Sequence, residues 1–175
     1  MTETHIVDSD LYWNTCFAEN WDASHGASQS RFFARIAIDH PPRWLTEQLK
    51  RQSLTLADWG CAQGDGTDIW ASYIDSQQIA GIDFSSVAIN QATRRYPAIR
   101  FINEDWLADA GDQGDTYDLV FSSNTLEHFH KPSDVLQALC KRARRAVGLA
   151  LPYGELERHY EHFFTKYTLG VAQCF

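Results

Sequence analysis

From residue 54 onward, short apolar runs each close on polar or turn-forming residues. Leu54–Trp59 (LTLADW) ends at a glycine-rich turn, and Ile79–Phe84 (IAGIDF) ends on an Asp–Phe pair. Ile99–Ile102 leads into Asn103-Glu104-Asp105, Tyr117–Phe121 into Ser122-Ser123-Asn124, and Ala146–Leu151 into Pro152-Tyr153-Gly154. Runs this short, rich in residues that suit a pleated surface, predict five strands. Between them, Thr67–Tyr73 and Ser86–Tyr96 carry apolar residues at helical spacing. Pro132–Arg145 opens with Pro in the first turn and sets Val135, Leu136, Leu139 and Cys140 on one side. Strand–helix alternation predicts βαβ units and a mostly parallel sheet. Burial of such strands on both faces explains runs that are apolar without alternation.

The first fifty or so residues follow another pattern. Leu11, Trp13, Phe17 and Trp21 stand among polar positions, His25–Ser28 suggests a loop, and Phe32–Ile38 a helix that Pro41-Pro42 breaks. Trp44–Lys50 restarts a helix that leads into the first strand. Residues 1–53 are therefore expected to form an N-terminal helical cap in the same domain as a core over 54–175. A length of 175 residues suits one domain.

Charge narrows the set of partners. The net charge is -8 and the pI about 5.2, so phosphate backbones are repelled and nucleic-acid binding is not expected. Lys141, Arg142, Arg144 and Arg145 are the dense basic cluster, read as the solvated face of a helix. Cys16, Cys61, Cys140 and Cys174 contain no CxxC pair, which excludes a zinc knuckle or thioredoxin motif. Free thiols, a polar start (Met1–His5) and the lack of a bilayer-length apolar stretch predict a cytoplasmic protein without a membrane span.

In an open α/β sheet, ligands bind beyond the carboxyl ends of the strands. The residues found there are suggestive. After the first strand come Asp58, Gly60, Ala62, Gly64 and Gly66, small enough for close backbone approach to a ligand. After the second comes Asp83, a carboxylate able to accept both hydroxyls of a ribose. After the third comes Asp105-Trp106, suited to an adenine amino group and face. After the fourth comes Ser122–His128.

LADWGCAQGDGT resembles motif I of class I S-adenosylmethionine (SAM)-dependent methyltransferases, written (D/E)-x-G-x-G-x-G. GIDFS, FINEDW and YDLVFSSNTLEHFHKP resemble the second, third and fourth motifs, in order and at family-like spacing. The resemblance is to the methyltransferase-11/12 type and covers most of Leu54–Tyr153; Ala62 departs from the pattern at the middle glycine. NAD binding requires G-x-G-x-x-G, and G-C-A-Q-G-D-G is out of that register.

The resemblance implies a Rossmann-like fold, SAM as cofactor, and a set of contacts. Asp58 and the backbone around Gly60, Cys61, Ala62 and Gly64 hold the methionine part, and Asp83 the ribose. Phe84 packs near the adenine, Asp105 accepts from its amino group with Trp106 beside it, and Asn124 sits near the sulfonium. The implied activity is methyl transfer to an oxygen of a small molecule or glycan. The N-terminal YWNTCFAENW and QSRFF segments are similar to methyltransferases associated with surface-polysaccharide biosynthesis.

A hydroxyl acceptor needs a base, and the candidates are His128, Glu127 and His162, then His130 and His159. Asn124, Glu127 and His128 also have helix-face spacing, and His159 or His162 could complete a mixed metal set. Small-RNA 2′-O-methyltransferases carry a related E-x-x-E-H arrangement, but Asn124 replaces the first carboxylate, so no metal is expected. Two alternatives stay open: a non-catalytic SAM-binding module of a larger multi-enzyme protein, and a metal-assisted RNA methyltransferase. Tyr12, Trp13, Trp21, Gln29, Ser30 and Arg31 are expected as a lid over cofactor and acceptor. Phe163–Phe175 leaves room for a helix but not for the β-hairpin that closes such domains. The core is therefore expected either to be truncated at the C-terminus, as a domain cut from a larger multi-enzyme protein, or to pair a bare sheet edge with another chain.

Overall fold

The computed structural model describes residues 9–41, 43–108, 114–152, 161–162 and 170–173. Three helices precede the sheet: α1 (Asp10–Thr15), α2 (Gly26–Asp39) and α3 (Arg43–Arg51). Then follow β1 (Leu56–Trp59), α4 (Asp65–Tyr73), β2 (Ile79–Asp83), α5 (Ser86–Arg95), β3 (Arg100–Asn103), β4 (Tyr117–Ser123), α6 (Pro132–Arg142), β5 (Ala143–Ala150) and β6 (Gly170–Gln173). The strand order is β3-β2-β1-β4-β5-β6, with every pair parallel except β5–β6. The order reverses between β1 and β4, and that reversal opens a crevice above their carboxyl ends.

The apolar runs supply both faces of this sheet. Leu56, Leu119 and Phe121 pack with Ala34, Ala37, Leu45, Leu49 and Trp70 from α2, α3 and α4. Their chain neighbours Ala57 and Val120 turn the other way, onto Val135 and Leu139 of α6. The cap helices α2 and α3 are thus part of the main core. Ser9 caps α1 and Ser85 caps α5, each accepting from a backbone N–H three residues on. A π-helical turn, Cys16–Asn20, continues α1, and Cys16, Phe17 and Asn20 on it face the crevice.

Several expectations are corrected. Gly26–Ser28 belongs to α2, not to a loop. The Trp21 ring lies where a Cβ on Gly26 would stand, 2.4 Å from its nearest atom, so glycine here permits aromatic packing. The basic cluster is not one helix face, because α6 ends at Arg142 and β5 begins at the next residue. Arg142 is buried, paired with Glu104 at 3.1 Å and set over the Trp106 ring. Arg144 and Arg145 both grip Asp118 on β4. Burial alone would raise that carboxyl, but Arg144 and Thr55 bring it down to about 2. The sheet edge beyond β5 is also not bare: β6 pairs with it antiparallel, Leu149 opposite Gly170. Four residues of strand are too few for apolar periodicity to reveal. Of the expected helix in Phe163–Phe175, residues 170–173 are strand instead, and the rest lies outside the described residues. No described helix is long and apolar enough to cross a membrane.

Candidate active site

Motif I folds as a turn in which alternate residues adopt left-handed backbone conformations. Gly60 has φ 75°, Ala62 φ 50° and Gly64 φ 82°. An L-residue resists that region, so Ala62, which replaces the family's middle glycine, carries strain of about 1–2 kcal/mol. The loop is pinned from below. The N–H groups of Gly60 and Cys61 donate to the Ile82 carbonyl at 2.8 and 3.1 Å, and the Ala62 N–H donates to the Asp83 carboxylate at 2.9 Å. Glycine at 60 also leaves clearance, since a Cβ there would stand 2.7 Å from the Thr125 hydroxyl.

This loop floors a cavity of about 600 Å³. Asp58, Gly60, Cys61, Ala62, Asp83, Phe84, Asp105, Asn124, Glu127, His128 and His162 all line it. Two expected residues do not. Trp106 is 2% exposed, stacked on Tyr117 beneath Arg142, because residue 106 turns into the core while Asp105 faces out. Gly64 faces the Phe101 ring and Ala92, so its part is the left-handed entry to α4 rather than ligand contact.

Electrostatics set the character of the cavity. Asp58 accepts from the Thr67 hydroxyl at 2.6 Å. Asp83 accepts from Ala62 N–H on one oxygen and from Ser85 N–H on the other, each at 2.9 Å. A carboxylate oxygen has two acceptor sites, so each Asp83 oxygen keeps one for a ligand. Burial pushes both carboxyls up to about 6; the Thr67 hydroxyl opposes this at Asp58 and the Ser85 and Ala62 N–H groups at Asp83. Burial, then the charges of Asp83 and Asp58, keep the Cys61 thiol protonated. Folded-state values above the unfolded ones mean stability that is full below about pH 4 and lost as pH rises through about 6. At neutral pH the cavity therefore holds two ionised, under-solvated carboxylates that favour a ligand bearing donors or positive charge. Asp105 spends one oxygen on the Leu107 N–H at 2.8 Å.

The cap closes the cavity from above. Trp13, Trp21, Gln29 and Ser30, four of the six residues expected in a lid, line it. Tyr12 and Arg31 do not. The Tyr12 hydroxyl donates to the Glu161 carboxylate, and Arg31 pairs with buried Asp65 at 2.8 Å. Gln63 and Gln91 both donate to the Phe17 carbonyl, tying the cap to motif I and α5. Opposite Asp83, past β4, Glu127, His128 and His162 gather, while His130 is exposed and away. His159 lies outside the described residues. Thr67 and Glu161 were not anticipated. Thr67 carries a signal, a hydroxyl in the first turn after the glycine loop; Glu161 carries none.

Comparison with known proteins agrees with this geometry. The family described as "Methyltransferase domain" matches residues 56–148, more than half of the chain. This chain belongs to that methyltransferase family. Its crevice at the β1/β4 reversal and its β1-loop–Asp83 arrangement are those of the class I, SAM-dependent type. A trans-aconitate 2-methyltransferase of Paracidovorax citrulli (strain AAC00-1) is 31% identical over 93 residues, 51% of this chain and 36% of that protein. Its counterpart in Acidovorax sp. (strain JS42) is 25% identical over 118 residues, 66% of this chain and 39% of that protein. The methyltransferase chain thus spans well under half the length of these relatives. The magnesium protoporphyrin IX methyltransferase of Synechocystis PCC 6803, solved with bound S-adenosylhomocysteine (SAH), has the same fold. It superposes with a TM-score of 0.62 at 18% identity, over 85% of this chain and 74% of that one.

Proposed function

We propose that the cavity binds SAM and presents its methyl group to a hydroxyl of a neutral small molecule or glycan. The observation that carries the cofactor half is the convergence of Asp58 and Asp83 on one left-handed loop. SAM supplies a methyl group made electrophilic by a sulfonium. The Asp83 oxygens suit the ribose hydroxyls, and Phe84 and Asp105 lie on the adenine side, at the β2 and β3 ends. Asp58 and the backbone from Gly60 to Ala62 suit the methionine end. Asn124 Oδ1, buried without a hydrogen-bond partner among the described residues, offers an acceptor beside them.

The acceptor then enters from the β4 side, where Glu127, His128 and His162 stand. Positioning and exclusion of water supply much of the rate for such an in-line displacement, and this cluster stands where the acceptor hydroxyl must be activated. Besides Asp58, Asp83 and Asp105, the carboxylates of Asp10, Glu104, Glu127 and Glu161 line the cavity, with no Lys or Arg among the described lining residues. A tricarboxylate such as trans-aconitate meets repulsion there, whereas a neutral polyol does not. Trp13 and Trp21 beside Gln29 and Ser30 suit the alternating apolar and hydroxylated faces of a sugar.

The test is incubation with methyl-labelled SAM and a panel of neutral glycans and polyols, amines and polycarboxylates. Label is expected in an ether of a neutral acceptor. Transfer confined to trans-aconitate or to amines would overturn the acceptor reading.

A further inference from the structure

Glu127, His128 and His162 each bring one potential ligand atom, and these atoms lie within 4.8 Å of one another. Ligands on a common ion at about 2.1 Å stand about 3–4 Å apart, so small side-chain rotations bring this trio onto one centre. We propose that the three residues hold a divalent first-row transition cation at the acceptor end of the cavity. It departs from the expectation of no metal. The inference rests on the proposed transfer to oxygen and names what binds that oxygen.

Four observations support the site. Glu127 is 0% exposed, so its carboxylate lies within the cavity wall rather than in solvent. The His128 Nδ1 lies 3.1 Å from the Glu161 carbonyl. A carbonyl only accepts, so Nδ1 carries the proton and Nε2 keeps its lone pair, the form a metal ligand requires. Glu161 in turn accepts from the Tyr12 hydroxyl, and the Trp13 ring meets His128 edge-on at 4.8 Å between centroids. The imidazole is thus held by a hydrogen bond and by packing, like the outer shell of a built metal site.

The donor set selects the ion. Two imidazoles and one carboxylate favour Zn²⁺, Co²⁺, Mn²⁺ or Fe²⁺ over the harder Mg²⁺ and Ca²⁺. Three protein ligands leave coordination positions open, as in catalytic rather than structural sites. An acceptor hydroxyl bound there is acidified and yields its proton to solvent. Its oxygen pair then forms the bond to the methyl carbon as the carbon–sulfur bond breaks, and that pair stays on sulfur to leave SAH. Asn124, which replaces a carboxylate in the related E-x-x-E-H pattern, does not remove the site, because His162 arrives from beyond β5.

The experiment is titration of the chelator-treated full chain with Co²⁺, read by visible absorption and metal analysis. Glu127→Gln and His162→Ala are titrated in parallel, and SAH binding is measured for all three in metal-free buffer. The expected result is one Co²⁺ per chain, displaced by Zn²⁺, with affinity reduced by about 10-fold or more in each variant. SAH binding is expected in all three proteins, which shows that the variants fold. No stoichiometric Co²⁺ binding by a wild-type protein that binds SAH, or equal affinity in the SAH-competent variants, would overturn the metal site alone. Failure of SAH to bind wild type would instead strike the cofactor reading.

Discussion

Asp83→Ala is expected to weaken SAH binding by about 100-fold at pH 7.5. Each Asp83 oxygen already accepts one backbone N–H and keeps one site free, so the ribose hydroxyls gain two charge-assisted hydrogen bonds. At about 1.5 kcal/mol or more apiece, their loss amounts to roughly 3 kcal/mol, or two decades in affinity. Water reaching the cavity can satisfy the Ala62 and Ser85 N–H groups, so the fold should survive. The same carboxylate predicts a pH effect of definite sign. Burial raises Asp58 and Asp83 to about 6, so acid protonates the groups that receive the ligand. Wild-type affinity for SAH should therefore be level above about pH 7 and fall as pH drops through 6. In Asp83→Asn that fall should be shallower. A folded Asp83→Ala protein with wild-type affinity, or a wild-type affinity that rises in acid, would remove Asp83 from the ribose site.

Gly60→Val should leave SAH binding undetectable, with strand and helix content retained. Gly60 sits at φ 75°, where a β-branched residue is an outlier, and its Cβ would meet the Thr125 hydroxyl at 2.7 Å and its methyl at 2.9 Å. Accommodating valine forces the loop from Gly60 to Ala62 to move, and with it the backbone expected to hold the methionine part. Circular dichroism checks the fold and calorimetry the ligand. Normal binding by the variant would show that the loop does not approach the cofactor closely.

The sheet was readable because its strands are short apolar runs buried on both faces, and β1, β2 and β4 fall within two residues of where the runs place them. The carboxylates at strand ends were readable for a related reason: Asp58 and Asp83 stand at the C-terminal ends of such runs, and Asp105 lies three residues beyond the third. Trp106 was misplaced because a residue's direction at a strand exit depends on the partner awaiting it, here Tyr117 and Arg142 from distant segments. The Arg142–Arg145 stretch was read as helix because charge spacing cannot show that α6 passes into β5 without a loop. The sequence offered His159 or His162 as partners for His128 but could not choose between them: the 5.2 Å ring contact of His162 with His128 depends on how the chain returns after β5.

Isothermal titration calorimetry of the wild-type chain with SAH, and separately with NAD, tests the central claim most directly. One SAH site per chain with micromolar or tighter affinity (about -8 kcal/mol) and no heat from NAD is the predicted result. Saturable NAD binding with no response to SAH or SAM would contradict it.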